Sequence, residues 1–295
     1  MKKLIGVLLG ALFLVASFGI AMAQEAASAM HAPPKVLVIL REYLKPGRLG
    51  SPHEKTEKPF VQALSHAKYP THYFAMDSLS GRPRTLFLTG YDSFADWEKD
   101  HMMMMQNPAL SAELDRYGVA DGDLLSDTDQ SVLTFDEEES LNAPVDIPHM
   151  RGFEISVFRV RPGHRKEWSD LVKLVKDAYS KIPDTHWATF EVAYGATEGP
   201  TYVVFTPIKG GADIDKEADQ DKQFMSAMGE DGMKKLGELE TSAVESTQTN
   251  LFVFNPGISY PPDEWIKADP DFWKPKAEKP MTMKKPAEKP ADKKQ

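Results

Sequence analysis

The chain has 295 residues, a formal net charge of −9 at pH 7 and no cysteine. This length is enough for one large or two small domains, each with a normal hydrophobic core. The lack of cysteine excludes disulfides, thiol catalysis and lipid attachment through an N-terminal cysteine. The acidic balance argues against nucleic acid as a partner.

The first residues have the pattern of a secretory signal peptide. Lys2 and Lys3 precede an apolar run from Leu4 to Ile20, and residues 21–23 have the small-x-small pattern that signal peptidase recognises. We predict cleavage after Ala23, and therefore a periplasmic or secreted mature protein. The alternative is a retained transmembrane anchor, because a run of about 17 residues is near the lower limit for crossing a bilayer.

The clearest repeating pattern lies in residues 152–206. Residues 153–160 alternate with the period of two expected of a strand. From 164 to 179, apolar residues recur every three or four positions, which predicts an amphipathic helix. Residues 186–194 and 201–207 are rich in β-branched and aromatic residues, and we predict that they form a hairpin.

The same order occurs about 116 residues earlier. Residues 36–44 alternate in the same way, and a Pro-Gly pair ends the first strand of each half, at 46–47 and at 162–163. Each half then continues into a second helical region and a last strand, which we place at 131–135 and 249–254. The order βαββαβ is therefore predicted twice, and each copy is a ferredoxin-like unit.

A four-stranded unit of this kind would leave one sheet face bare, yet the strands are apolar on both faces. In the first strand, Leu37 and Ile39 lie opposite Val36 and Val38. We therefore predict an α+β fold in which the two repeats pack sheet to sheet as an intramolecular barrel, with helices outside. This architecture favours a monomer with an internal pseudo-dimer.

Residues 274–295 differ in composition from the rest of the chain. They contain eight lysines and three acidic residues, a net charge of +5, and few apolar side chains, which is typical of disorder. Such a tail either contacts anionic groups of the cell envelope or only adds solubility. In order, the segments are a signal peptide (1–23), a flexible leader (24–34), the first repeat (35–140), a linker (141–151), the second repeat (152–260) and a Pro/Lys-rich disordered tail (261–295).

These features resemble the dimeric α+β barrel superfamily, which includes antibiotic-biosynthesis monooxygenase-like and NIPSNAP-like domains. The resemblance covers about Val36 to Tyr260 and depends on the duplicated order, the Pro-Gly turns and the stretch from Tyr91 to Trp97. It implies a site inside the barrel or between sheet and helices. It implies no single activity, because the superfamily includes cofactor-free oxygenases, haem-binding enzymes and isomerases.

Two equivalent pairs, His72 with Tyr73 and His186 with Trp187, lie at the predicted starts of the second strands. Histidine acts as a base, an acid or a metal ligand near neutral pH, although a Thr-His-aromatic sequence can also simply begin a strand. The candidate ligand-binding residues are His72, Tyr73, Trp97, His101, His186 and Trp187.

No cofactor is predicted, and haem and copper are kept as alternatives. His101 is followed by four methionines at 102–105, and thioether sulfur with imidazole suits Cu(I). Successive helical residues point about 100° apart, however, so core packing is the preferred role for these methionines. A haem would need an axial ligand, for which the candidates are His72, His101, His164 and His186.

Other polar residues carry weaker signals. Asp121, Asp123, Asp127 and Asp129 lack the order of a calcium loop and predict a solvated acidic loop. Polar residues of the first strand, such as Glu42, could project into the barrel.

Nucleophile elbows, Walker loops, zincin helices and dinucleotide fingerprints are absent from the sequence. The function predicted is binding of a small apolar or aromatic molecule in the duplicated barrel. The alternative is a cofactor-independent monooxygenase-like or haem-interacting enzyme.

Overall fold

The computed structural model describes residues 30–195 and 199–274. Within these residues, no helix combines the length and the apolar composition needed to cross a membrane. The predicted signal peptide and residues 275–295 of the predicted tail lie outside the described residues.

The secondary structure follows the predicted order in both halves. The first half contains β1 (Val36–Leu44), α1 (Ser51–Ala67), β2 (Phe74–Ser78), β3 (Arg84–Tyr91), α2 (Phe94–Met105), α3 (Pro108–Gly122) and β4 (Leu125–Leu141). The second half contains β5 (Gly152–Val160), α4 (Arg165–Tyr179), β6 (Trp187–Tyr194), β7 (Thr201–Ile208), α5 (Gly211–Ala243) and β8 (Val244–Phe254). Two short helices follow, α6 (Asp263–Ala268) and α7 (Pro270–Trp273).

The eight strands form one closed barrel in the order β1-β3-β2-β8-β5-β7-β6-β4. Each half therefore has the ferredoxin-like order, β4-β1-β3-β2 in the first and β8-β5-β7-β6 in the second. The halves are joined by antiparallel hydrogen bonding of β2 with β8 and of β4 with β6. The predicted fold class is confirmed, and the joined edges mean that neither sheet has a free edge strand.

The last strand of each half is longer than predicted. β4 extends beyond the predicted residues 131–135 because it pairs with β1 of its own half and with β6 of the other half. β8 begins at Val244, ahead of the predicted Thr249, and pairs with β5 and β2. By contrast, His72 and Tyr73 precede β2 and do not start it.

Alternation along the strands separates a barrel interior from an outer layer under the helices. Leu37 and Ile39 of β1 belong to the interior core, whereas Val36 and Val38 pack outside the barrel with the partly buried Trp97 of α2. The same division holds in β7, where Val203 and Phe205 point inward and Tyr202 packs under α4. Burial of both sheet faces is therefore achieved by the duplicated barrel and its helices.

The second helical region of each half is interrupted. The Asn107 side chain accepts a hydrogen bond from the Leu110 amide at 3.2 Å, which starts α3 at Pro108 and separates it from α2. In α5, Gly229 has φ 69° and ψ 172°, so the helix is kinked at this position. A residue with a side chain would be strained there.

The predicted disordered tail is wrong for residues 263–273, which form α6 and α7. Trp273 is completely buried, and its Nε1 donates a hydrogen bond to the Pro148 carbonyl oxygen at 2.8 Å. Arg151 donates a hydrogen bond to Asp269 at 2.6 Å and fastens the same segment. Burial of large aromatic side chains offsets the cost of ordering the chain here, which the Lys- and Pro-rich composition concealed.

Candidate functional site

A cavity of about 430 Å³ opens at one end of the barrel. Its deep wall is made of interior strand residues, including Leu37, Leu88, Phe153 and Phe205. Its outer wall contains residues from both ends of the described chain. The aromatic lining residues are His31, His72, Tyr73, Phe74, Tyr91, Phe153, Trp187, Phe190, Phe205 and Trp265.

Small residues leave this space unfilled. Ala188 of β6 and Gly90 of β3 line the cavity at positions where other strand residues carry large side chains. At Gly90, a Cβ atom would lie 2.8 Å from the Pro34 side chain, so glycine permits the N-terminal segment to approach the barrel. The opposite end of the barrel is filled by larger side chains and has only about 40 Å³ of space.

The cavity mouth is covered by both ends of the described chain. His31 pairs with Val145 through backbone hydrogen bonds of 2.8 and 3.1 Å, which holds Pro33 and Pro34 against the opening. On the other side, Trp265 of α6 contributes to the wall and packs edge-on to the His31 ring, with 5.8 Å between ring centroids.

Polar groups lie at the mouth of this mostly apolar cavity. His31 Nδ1 is buried and has no hydrogen-bond partner among the described residues. His72 Nδ1 lies 3.3 Å from the Tyr260 carbonyl oxygen, and Asp92 and Glu264 add carboxylates. A ligand that fills the cavity can therefore hydrogen-bond at one end only, which would orient it.

Two tyrosines of the lining keep their protons at neutral pH. Burial raises the pKa of Tyr73, and the nearby carboxylates of Glu57 and Glu42 raise it further. Burial also raises the pKa of Tyr91, whose hydroxyl donates a hydrogen bond to Asp100 at 2.8 Å. Neither phenol is therefore suited to act as a base.

Three of the six predicted ligand-binding residues line the cavity, namely His72, Tyr73 and Trp187. Trp97 instead packs on the outer face of the sheet. His186 is partly buried but is not among the lining residues, and its Nδ1 lies 2.8 Å from the Asn142 carbonyl oxygen. His101 is exposed on α2. As ligand-binding residues, all six remain predictions.

The methionines after His101 lie on different sides of α2. Met103 and Met104 are partly buried and pack against a core that includes Leu64 and Leu110, whereas Met102 and Met105 are exposed. This arrangement agrees with the preferred packing role for two of the four and brings no cluster of sulfur atoms to His101.

The cavity lining fits a haem poorly. Of the four histidines predicted as axial ligands, only His72 is among the lining residues, and its ring lies against Tyr260 with 4.7 Å between centroids. Among the described residues, the lining has no lysine or arginine to pair with haem carboxylates, and Asp92 and Glu264 at the mouth would repel them. We therefore derive no chemistry through haem.

A second group of polar residues, not predicted from the sequence, lies outside the barrel under α1 and α3. His53, Glu57, Glu42 and Asp121 are all buried and adjacent. The prediction of a solvated loop is wrong for Asp121, which lies in α3 and is 2% exposed. Likewise, Glu42 points toward the helices, away from the barrel interior. The available signal was His53 and Glu57, which are polar residues four apart on the buried face of α1.

No family model and no curated protein matches this sequence. Among solved structures, an anthrone oxidase-like protein is similar with 14% identity and a TM-score of 0.48, over 75% of this chain and 92% of that one. A variant chlorite dismutase from Candidatus Nitrospira defluvii has 10% identity and a TM-score of 0.45, over 80% and 96%. A heme-binding protein from Thermus thermophilus has 12% identity and a TM-score of 0.43, over 81% and 96%. Similarity at this level concerns the fold and assigns no activity.

Proposed function

We propose that this protein binds a small aromatic molecule inside the barrel. The observation that supports this is the cavity of about 430 Å³, which is within the range of small-molecule sites and has a mostly apolar wall rich in aromatic side chains. Rings such as Phe190 and Phe205, which already pack edge-to-face at 5.6 Å, offer the geometry that an aromatic ligand would extend.

The charges at the mouth define the class of ligand. Asp92 and Glu264 are the charged lining residues, so an uncharged or cationic molecule is favoured over an anion. His31 Nδ1 supplies a hydrogen-bonding group that is not otherwise used within the described chain. We assign binding and no reaction, because the lining phenols stay protonated and the imidazoles lie at the mouth.

Fluorescence titration with two naphthalene probes, one neutral and one anionic, tests the proposal. We expect neutral N-phenyl-1-naphthylamine to bind with one site per chain and to quench tryptophan emission, because Trp187 and Trp265 line the cavity. The anion 1-anilinonaphthalene-8-sulfonate should bind at least about tenfold more weakly, which corresponds to about 1.4 kcal/mol.

A cavity-filling variant locates the bound probe. Ala188→Phe should lower the affinity for N-phenyl-1-naphthylamine at least about tenfold by occupying its space, and Ala188→Leu provides a smaller change if the phenylalanine overpacks the core. Ala95→Phe is the matched control, because Ala95 is exposed on α2. If Ala188→Phe, Ala188→Leu and Ala95→Phe all bound the probe as tightly as the wild type, binding in the barrel would be contradicted. Uptake of haem with a Soret band would contradict the assigned ligand class.

A further inference from the structure

Four buried side chains converge between α1, α3 and the outer face of β1. They are Glu42, His53, Glu57 and Asp121, which are 9%, 1%, 5% and 2% exposed, respectively. One ligand atom from each lies within 4.8 Å of the others. His53 Nε2 is 3.0 Å from Glu42 Oε2, 3.5 Å from Asp121 Oδ1 and 4.0 Å from Glu57 Oε1. Three carboxylates therefore surround the Nε2 atom of a single imidazole.

The duplicated fold shows that the architecture does not require this polar cluster. In the first half, Glu42 of β1 is paired in register with Thr85 of β3. The equivalent pair in the second half is Phe158 of β5 with Tyr202 of β7. There, Trp168 of α4 covers both rings, with centroids 5.2 and 4.8 Å away. An aromatic stack fills the same space in the second half, so the charged residues of the first half have a role other than packing.

A hydrogen-bond chain sets the orientation of the imidazole. The Thr85 hydroxyl donates to Asp77 Oδ1 at 2.6 Å, which leaves its oxygen to accept from His53 Nδ1 at 3.3 Å. With a proton on Nδ1, Nε2 can act as a ligand on the side of the three carboxylates, where a cation would replace the proton shared with Glu42 Oε2 at 3.0 Å. Metal-binding histidines are commonly held in this way, with the second ring nitrogen donating to an outer hydrogen-bonded group.

The cluster contains more negative than positive charge. Even a protonated His53 would offset only one of three carboxylates, and buried uncompensated charges are costly. The Glu57 carboxylate is buried, lies 4.0 Å from His53 Nε2 and accepts no hydrogen bond from another described residue. A bound cation would remove this imbalance.

We propose that Glu42, His53, Glu57 and Asp121 bind one divalent first-row transition cation, of the class of Mn²⁺ or Zn²⁺. Mixed carboxylate and imidazole donors suit these ions. A cation about 2.0–2.2 Å from each donor requires donor separations of roughly 3–4.4 Å, which the cluster meets after small side-chain movements. The four ligands come from α1, α3 and β1, so the cation joins two helices to the barrel wall and has a structural role.

Metal titration of the full chain tests this site. After treatment with a chelator, we expect one equivalent of Mn²⁺ or Zn²⁺ to bind, measured by elemental analysis after gel filtration, and to raise the Tm by several degrees. Glu57→Gln keeps the shape of the side chain but removes a ligand charge, and should weaken binding at least tenfold. Thr85→Val, which removes the partner of His53 Nδ1, should weaken it about 10–100-fold.

Glu54→Gln is the matched control, because Glu54 lies beside His53 on α1 but outside the cluster. It should bind metal as the wild type does. If the wild type retains less than about 0.1 equivalent of either ion and its Tm does not change at millimolar metal, the site holds protons instead and the proposal is wrong. Wild-type stoichiometry decides the matter even if a variant fails to fold. Probe binding in the barrel cavity is measured separately, so failure of either proposal is distinguishable.

Discussion

At the scale of single residues, environment decides the chemistry of the acidic side chains. Glu139 of β4 is 9% exposed, and its Oε2 accepts a hydrogen bond from Trp168 Nε1 at 2.9 Å. Burial raises the pKa of Glu139 to about 7, although the hydrogen bond from Trp168 lowers it. Among the facing charges, Asp136 and Glu191 raise the pKa and Arg165 lowers it.

This shift predicts a pH dependence of stability with a definite sign. Between about pH 4.5 and 7, folded Glu139 keeps a proton that the unfolded chain has lost, so its contribution to the free energy of unfolding falls as pH rises and levels off above pH 7. Glu139→Gln keeps an acceptor for Trp168 and should remove this decrease. At pH 8 the variant should be more stable than the wild type by about 1–3 kcal/mol.

Urea unfolding at pH 5, 6, 7 and 8 measures the difference between the two proteins. The exposed neighbour Glu137, changed to Gln, serves as the control and should follow the wild type. Parallel stability curves for wild type and Glu139→Gln would show that the raised pKa is incorrect.

At the scale of elements, the short helices α6 and α7 cover part of the barrel end at which the cavity opens. Trp273 contacts Phe254 and Trp265, with ring centroids 5.4 and 5.3 Å away, and belongs to the barrel core. Trp265 from the same segment lines the cavity. The segment thus contributes both to the stability of the barrel and to the wall of the candidate site.

Trp273→Ala should lower the free energy of unfolding by about 3–5 kcal/mol, because it removes a fully buried aromatic side chain and its hydrogen bond to Pro148. Denaturant unfolding gives this value directly. Asp271→Ala changes an exposed residue of the same helix and should have an effect below about 0.5 kcal/mol. Similar stabilities for the two variants would mean that α7 is not docked.

At the scale of the whole molecule, the closed barrel makes the two halves one unit. Leu133 of β4 is completely buried and pairs in register with Leu37 of β1 in its own half and Val192 of β6 in the other. Because both junctions between halves are hydrogen-bonded strand pairs, opening one half exposes the interior face of the other. The barrel should therefore unfold cooperatively.

Leu133→Ala tests this coupling and should cost about 2–5 kcal/mol. Leu133 belongs to the first half of the chain, as β1 does, whereas β5 belongs to the second. Hydrogen exchange under native conditions should nevertheless show the same loss of protection for the slowest amides of β1 and of β5. A loss confined to β1, β3 and β4 would show that the halves unfold independently.

The sequence was sufficient for the fold because its signals are local and repeated. Alternation in residues 36–44 and 153–160, with Pro-Gly ends, defined the first strand of each half, and the helical stripe of residues 164–179 matched α4. Predictions failed where a distant partner decides the structure. Trp273 is ordered because it packs into the core at the end of the barrel. β4 is long because it pairs with strands of both halves.

The candidate site divides in the same way. Comparison of the two repeats marked His72 with Tyr73 and His186 with Trp187 as equivalent pairs, and His72, Tyr73 and Trp187 line the cavity. His31 and Trp265 also line it, but they come from the two ends of the described chain, and no local pattern brings them together. The residues of the buried cluster, Glu42, His53, Glu57 and Asp121, are spread over about 80 residues of sequence, so no local pattern indicated that they meet.

By itself, the sequence determined that two βαββαβ units exist and that each has apolar residues on both sheet faces, because strand and helix periods are properties of neighbouring residues. Only the tertiary structure decided which edges pair, where space remains in the barrel, and which carboxylates are buried beside His53. Those features depend on how well distant surfaces fit and on which charges lose their water, and neither is encoded within one segment.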